Sequence, residues 1–478
     1  MPENAQAPAD LPSATDAQAI AVIAGLKIDV VVLAAGKGTR MYSDIPKVLH
    51  SIGGAPMAQH VIDAAAQLGD VALHVVVGHE AALVSTALQR VDSFIEQHEQ
   101  LGTGHAVAQV LPALRDDALV LVLYGDVPLI RAATLARLVA ACTREQLSLL
   151  TVELDDPSGY GRICRNSEQR VCQIVEQKDA SDEQLRIREV NTGIICVHQA
   201  ILARWLPALS NDNAQNEYYL TDIIAMAVAD NVAIHTEQPA SREEVEGVNN
   251  KLQLAALERC YQRRRADYLM LAGTTLADPA RIDIRGSLRV GRDAYIDVNT
   301  VFSGDVVLGN NVSIGPNCVL HDCEIGDNTQ ILPNCVIDQA SIANDCTIGP
   351  FARLRPGARF AASAKVGNFV EVKNASFGAG SKANHLSYIG DAEVGANSNI
   401  GAGTITCNYD GANKHRTTLG SNVFVGSNST LVAPLEIADN GFVAAGSTIT
   451  QKVPADTLGV ARGRQKNISG WKRPSKKT

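Results

Sequence analysis

Between Lys27 and about Ala240 the apolar positions form short runs separated by longer stretches of helical spacing. Ile28–Leu33, Ala72–Val77, Leu119–Tyr124, Leu147–Val152 and Gly193–Val197 read as strands. Met57–Leu68, Ala81–Arg90, Ala132–Ala141 and Ala200–Leu209 carry their apolar residues at helical intervals. This alternation predicts a Rossmann-like α/β domain, a mostly parallel sheet covered on both faces. The run Glu243–Leu271 has no Gly or Pro after Gly247 and predicts a connecting helix.

After Gly273 the period changes. Apolar residues recur every five or six positions from Ile284, Val290 and Ile296 to Val394 and Ile400, then again from Leu419 to Ile449. The five-residue steps begin at Leu320, Ile337, Val372 and Ile389. Taken three anchors to a coil, all four fall on one side. That phase predicts a three-sided prism of about nine coils, stacked at the roughly 4.8 Å spacing of paired strands. Such hexapeptide repeats resemble the left-handed parallel β-helix, and the handedness is implied by that resemblance alone. The series pauses from Thr406 to Thr418. The expected division is a flexible tail over 1–26, the α/β domain over 27–246, a linker helix over 247–272 and the β-helix over 273–478.

Composition excludes several classes. Aromatics at 4% with 38 glycines suit a repeat protein with tight corners. A net charge of −9 argues against a nucleic-acid surface over the whole chain, though it leaves room for a local basic pocket. Ten cysteines without a Cys-x-x-Cys pair give neither a disulfide framework nor a zinc signature, and read as thiols in a reducing compartment. The first 26 residues lack Lys and Arg, and Lys27 and Asp29 interrupt the apolar stretch Ala17–Gly36. A cytoplasmic protein without a membrane span is expected.

Candidate chemistry begins where Ile28–Leu33 runs into Ala34-Ala35-Gly36-Lys37-Gly38-Thr39-Arg40-Met41, with Pro46-Lys47 after it. A Gly-rich loop after a first strand brings backbone N–H groups close to phosphate oxygens. It is neither a dinucleotide fingerprint nor a Walker loop. Gly-x-Gly alone also suits an ordinary turn, but Arg40 and Lys47 add the cations a polyphosphate needs. Asp126, in Tyr124-Gly125-Asp126-Val127-Pro128, stands just past a strand end, where open α/β sheets bind ligands. By itself it reads equally as a turn aspartate.

The string Leu33 to Met41 with Pro46-Lys47 resembles the sugar-nucleotide pyrophosphorylases. The resemblance implies that Leu33, Ala34, Ala35, Gly36, Gln97, Gly102, Thr103, Tyr124 and Gly125 line a UTP site. It makes Asp126 and Asn249 ligands of Mg²⁺, whose hard-oxygen preference they suit. Gly161, Glu176 and Asn191 match the residues that hold an acetamido sugar in the uridylyltransferase branch. The implied reaction is attack of a sugar-1-phosphate oxygen on the α-phosphorus of UTP, helped by Arg40 and Lys47.

In the repeat, Arg355 and Lys373 each follow the first-side anchor of adjacent coils. Held parallel, two such cations about 5 Å apart cost about 1–3 kcal/mol, which an anionic ligand reverses. The alternative is that both splay into solvent. His385 and Tyr388 follow nearby, the imidazole either a surface residue or a base for an amine attacking a thioester. The pause at Thr406–Thr418 reads as a functional loop or as a tolerated insertion. The segments 367–373, 384–388 and 399–411 closely resemble the bacterial bifunctional N-acetylglucosamine-1-phosphate uridylyltransferase/glucosamine-1-phosphate N-acetyltransferase family. Carried over, Arg355, Lys373, Tyr388 and Asn399 hold the amino-sugar phosphate and His385 is the base. Ala402, Asn408, Tyr409, Ser427, Ala445 and Arg462 hold acetyl-CoA, and a homotrimer is implied. The rival readings are a single-function nucleotidylyltransferase with an inert β-helix, and a non-catalytic regulatory subunit.

Overall fold

The structure, a computed structural model, describes residues 14–78, 80–474 and 476. It divides into two compact units within one long helix, between Arg264 and Arg265.

The first unit is built on a sheet in the order Ala233–Glu237, Gln146–Glu153, Glu189–His198, Leu119–Tyr124, Ile28–Ala34, Val71–Val77 and Ser93–Glu96. Ile28–Ala34 pairs in parallel with Val71–Val77 on one side and Leu119–Tyr124 on the other. Its side chains alternate between two cores. Val30 and Val32 enter one and Val31 the other, so both faces are covered. Glu189–His198 is antiparallel to both neighbours and carries an irregularity between Asn191 and Ile195. The hairpin Arg162–Arg165/Val171–Val175 branches from it. The chain reverses strand order beside Ile28–Ala34, which creates a crevice at the carboxyl ends of the parallel strands.

Two expectations change here. The tail expected over 1–26 contains a helix, Ala14–Val22, packed on the helix Ala132–Ala140. Ile23, only 1% exposed, anchors its end in the core, and residues 1–13 lie outside the described chain. The helix expected from Glu243 begins instead at Lys251 and runs to Leu271. Asn250 Oδ1 accepts from Gln253 N at 2.9 Å, and Gln253 Oε1 accepts from Asn249 N at 2.7 Å. That reciprocal cap starts the helix and leaves Asn249 just outside it.

The second unit is the left-handed parallel β-helix, and its register pairs residues one coil apart. Leu320 stacks on Phe302, Ile337 on Leu320 and Leu354 on Ile337. The anchors therefore form columns, and those of all three sides fuse into one core. One face is an 11-stranded sheet from Thr275–Leu276 to Leu458–Gly459. The prism thus begins one strand before the first expected anchor, Ile284, and ends one strand after the last, Ile449. The pause is also narrower than its spacing suggested. Thr406 fills the inward position and stacks on Leu431, while its hydroxyl accepts from Gly390 N at 2.8 Å and donates to Gly390 O at 3.0 Å. A buried hydroxyl replaces the apolar anchor there, and the chain leaves the coil only after Cys407.

Among the described residues no helix is long and apolar enough to cross a membrane. All ten cysteines are free thiols, buried or half-buried.

Candidate active sites

The first site gathers at the strand ends. Gly125 N donates to Leu33 O at 3.0 Å, which ties the Tyr124-Gly125-Asp126 turn to the strand feeding the Gly-rich loop. Gly38 has φ +60°, and a Cβ there would stand 2.6 Å from Lys47 Cβ. Glycine lets the loop close over Lys47. The Lys47 ammonium bonds Asp126 Oδ2 and lies 3.5 Å from Asn249 Oδ1. Arg40 donates to the same amide oxygen at 2.8 Å. Four residues expected here from distant parts of the chain therefore meet. A carboxylate and an amide oxygen converging on one cation form a hard-oxygen pair that fits Mg²⁺ completed by phosphate and water. Among the described residues no group of three or more His, Cys, Asp or Glu forms an all-protein metal cage.

Gly161, Glu176 and Asn191 also come together. Asn191 N donates to Gly161 O at 2.8 Å, and Glu176 Oε1 would lie 3.3 Å from a Cβ built on Gly161. Burial pushes the Glu176 carboxyl up, with Asp179 and Asp222 adding to it against a hydrogen bond from Thr221. Burial likewise raises the Tyr124 phenol, helped by Asp126 and Glu176, the charges at the two ends of the crevice. Thr221, whose hydroxyl reaches Glu176 at 3.2 Å, has no sequence signal that marked it.

Gln97 turns inward. Its Nε2 donates to Gly102 O at 3.2 Å and faces His105 Nδ1 at 3.0 Å, so it braces the Gly102–Thr103 turn. Thr103 Oγ1 accepts from Leu220 N at 3.1 Å. Gln100 carries no motif of its own. A Cβ built on Gly78 would meet its amide nitrogen at 2.8 Å and Ala35 O at 2.7 Å. The place of Gln100 just before Leu101-Gly102-Thr103 was the available signal.

The second site lies on the β-helix. Leu354 pairs with Val372, so Arg355 and Lys373 emerge side by side as expected. They do not simply face each other. Arg355 Nη1 bonds Glu371 Oε1 at 2.8 Å. The cation set directly against Lys373 is Lys414, from the interrupting loop. Lys414, partial burial and Arg355 together hold the Lys373 ammonium below the usual lysine range. Gly390 is the register partner of Lys373. The Tyr388 hydroxyl lies against Gly390, where any Cβ would collide with it. Asp391, 7% exposed, accepts from Asn374 at 2.5 Å and from Asn408, which couples the loop to this cluster. The loop is ordered by Asp410, which accepts from Asn413 N at 2.7 Å, Ala412 N at 2.8 Å and His415 Nε2 at 2.7 Å. Tyr409, 61% exposed, bonds its hydroxyl to Gly411 O.

His385 ends the strand Lys382–His385 on the 11-stranded face. From it a column climbs one edge of the prism. Gly403 N bonds His385 O at 3.3 Å, Asn428 N bonds Ala402 O at 2.6 Å, and Gly446 N bonds Ser427 O at 2.9 Å. Arg462 Nη1 closes the column on Ala445 O at 2.6 Å. Ala402, Ser427 and Ala445 thus form a track of small side chains leading away from His385, a shape that suits a long, thin ligand. Asn399 shares the face of His385 through its pairing with Lys382 and Phe424, whereas Arg355, Lys373 and Tyr388 occupy the next face.

Residues 30–186 match the family model of the MobA-like NTP transferase domain, and residues 284–361 that of the GMPPB C-terminal domain. The chain is 58% identical over 451 residues to the bifunctional protein GlmU of Marinobacter nauticus, across 94% of this chain and 99% of the relative. It is 59% identical over 452 residues to the bifunctional protein GlmU of Cellvibrio japonicus, across 94% and 100%. A solved UDP-glucose pyrophosphorylase complexed with UDP-glucose overlaps 49% of this chain and 98% of its own, at 15% identity and a TM-score of 0.41, a likeness too slight to carry an argument. Identity of this order along nearly the whole of both chains decides the matter: the chain belongs to the bifunctional GlmU family, enzymes with acetyltransferase and uridylyltransferase activities in UDP-N-acetylglucosamine synthesis.

Proposed function

We propose that the two sites act in sequence. On the β-helix, Arg355, Lys373, Tyr388 and Asn399 receive the phosphate and sugar of glucosamine-1-phosphate, and the track Ala402–Ser427–Ala445 with Asn408, Tyr409 and Arg462 receives acetyl-CoA. The amine attacks the thioester carbonyl carbon as His385 takes its proton. The C–S bond then breaks, and the CoA thiolate leaves to collect that proton as free thiol. In the α/β unit the N-acetylglucosamine-1-phosphate oxygen attacks the α-phosphorus of UTP. The bond to the β-phosphate oxygen breaks, and pyrophosphate departs. The attacking phosphate is already an anion, so no base is needed. Arg40 and Lys47 neutralise and orient the triphosphate, Gly161, Glu176 and Asn191 orient the sugar, and Gln97 holds the Gly102–Thr103 turn. Asp126 and Asn249 would hold Mg²⁺, which when bound offsets the charge developing on the phosphates.

The observation that carries this reading is the convergence of Arg40, Lys47, Asp126 and Asn249 in one unit and of Lys373, Lys414, Arg355 and Tyr388 in the other. A single-function nucleotidylyltransferase leaves the second cluster without a purpose. A homotrimer is supported by apolar side chains left open on the prism. Phe351 and Phe369, 49% and 56% exposed, stack at 5.3 Å, and Phe424 and Phe442, 40% and 44% exposed, at 4.5 Å. Acetyl-CoA and UTP as substrates, with ten free thiols, support a cytoplasmic setting.

The test supplies acetyl-CoA, glucosamine-1-phosphate, UTP and Mg²⁺, and follows thiol and pyrophosphate separately. His385→Ala is expected to abolish thiol release and to spare pyrophosphate release from N-acetylglucosamine-1-phosphate. Asp126→Ala is expected to do the reverse. Parallel loss of both activities in either variant would contradict two independent sites.

A further inference from the structure

His385 has a partner that the reaction as described does not use. Asn368 lies one coil below it and is its register partner in the parallel ladder. Both residues are followed by a sharp turn, Phe369 at φ +55° and Leu386 at φ +49°, so both side chains project from the same corner. The backbone there is tied on every side. Leu386 N donates to Asn368 O at 3.0 Å, Gly403 N to His385 O at 3.3 Å, and Ser387 Oγ to His385 O at 2.9 Å. Within that frame His385 Nδ1 lies 2.8 Å from Asn368 Oδ1. An amide oxygen can only accept, so this bond places a hydrogen on Nδ1. In a neutral imidazole the lone pair then sits on Nε2, the nitrogen that has no partner among the described residues. The next side chain up the column, Ala402, offers Nε2 nothing to bind.

We propose that Asn368 is a positioning residue for acetyl transfer, holding His385 in the tautomer whose Nε2 can accept the proton of the attacking amine. This rests on the reading of His385 as the base. A base of the wrong tautomer is blocked, because Nε2 would already carry hydrogen. Turning the Asn368 amide over would produce that blocked form, since Nδ2 would then donate to Nδ1. Asparagines one coil apart also bond each other elsewhere in the prism, Asn299 to Asn317 at 2.9 Å and Asn311 to Asn328 at 3.1 Å; an Asn368 of that purely structural purpose would affect folding and not the tautomer.

The experiment uses the full chain with two substitutions, Asn368→Leu, which keeps the branched shape and removes the acceptor, and Asn368→Asp, which keeps an acceptor. Asn368→Leu is expected to lower kcat for thiol release by about tenfold or more, with both KM values within about twofold, because orientation and not binding is lost. Asn368→Asp should retain most of that kcat, and pyrophosphate release should be unchanged in both. In protein labelled with ¹⁵N-histidine, the His385 ring should report hydrogen on Nδ1 in the parent and a mixture of tautomers in Asn368→Leu. Unchanged kcat in Asn368→Leu, equal damage in Asn368→Asp, or a parent spectrum with hydrogen on Nε2 would each overturn the proposal. His385→Ala separates the two levels of the reading. Thiol release that survives it removes the base itself, whereas thiol release lost there but intact in Asn368→Leu removes only the role of Asn368.

Discussion

At the scale of single residues, charge governs the two candidate sites. Lys414, partial burial and Arg355 disfavour the charged form of Lys373, and a phosphate between these cations reverses that balance. Glu371 already neutralises part of Arg355 at 2.8 Å, so Lys414 should matter as much as the residues expected from sequence. Lys414→Ala is expected to raise KM for glucosamine-1-phosphate about tenfold, the loss of one charge-assisted hydrogen bond of roughly 1.5 kcal/mol. The thiol assay at varied sugar phosphate checks this, and an unchanged KM would reduce Lys414 to a loop residue. In the other site burial raises the Glu176 carboxyl above the ordinary carboxylate range. An acid so shifted regains its proton sooner as pH falls, and once protonated it loses acceptor strength toward sugar hydroxyls. KM for N-acetylglucosamine-1-phosphate should therefore climb as pH falls, ahead of the titration of exposed carboxylates. Glu176→Gln should flatten that dependence. Asp391 behaves oppositely. Its burial works upward, but Asn374, Asn408, Lys373 and Lys414 together outweigh it and hold the carboxyl below the usual range. The acetyl site should stay assembled over the same acidification.

At the scale of elements, two local bonds carry more than the repeat or the helix pattern announces. The cap at Asn250 starts the long helix and sets Asn249 free to meet Arg40 and Lys47. Asn250→Ala should cost about 1 kcal/mol and slow pyrophosphate release, leaving thiol release intact. Equal loss of both activities would show that the cap serves stability alone. Thr406 makes the complementary case. The anchor pattern invites an apolar residue, yet Thr406→Val should lower stability by about 1–3 kcal/mol, because Gly390 N is then buried without a partner. Thermal denaturation tests the sign. These elements also mark what the sequence could convey. Apolar columns announced the central strands and the prism, because burial forces periodicity. Strand direction leaves no such trace, so Gly193–Val197 announced a strand but not that Glu189–His198 runs antiparallel, and the half-buried edge strands Ser93–Glu96 and Ala233–Glu237 lack a full apolar run. The helix Ala14–Val22 follows a stretch without strong amphipathic pattern and is anchored largely through Ile23 beyond its end. The residues of the first site were legible through a motif string with its own chemistry. Lys414, Gln100 and Thr221 were not, because a loop lysine, a second glutamine and a lone threonine acquire meaning only from what they touch.

At the scale of the whole molecule, the arrangement of the acetyl site on one chain bears on assembly. Lys373 and Tyr388 stand on one face of the prism, and Asn399 stands on the 11-stranded face with His385. That face also carries the exposed, stacked Phe424 and Phe442 directly above Asn399. If the site is completed by a neighbouring chain in a closed ring, residues of the two faces are supplied by different copies. Lys373→Ala and Asn399→Ala should each lose most of their thiol release alone. In a ring, any junction that takes its lysine face from the Asn399→Ala chain and its asparagine face from the Lys373→Ala chain is intact. Random co-assembly at equal amounts should restore about a quarter of the parent rate, because each face is intact in half of the chains. Pyrophosphate release, which uses residues of one unit only, should stay at the parent level throughout and report that both variants fold. Recovery after refolding the two together, with none on simple mixing of stable assemblies, is the expected pattern. A co-refolded mixture no more active than its components would place the whole acetyl site within one chain and remove this argument for the trimer.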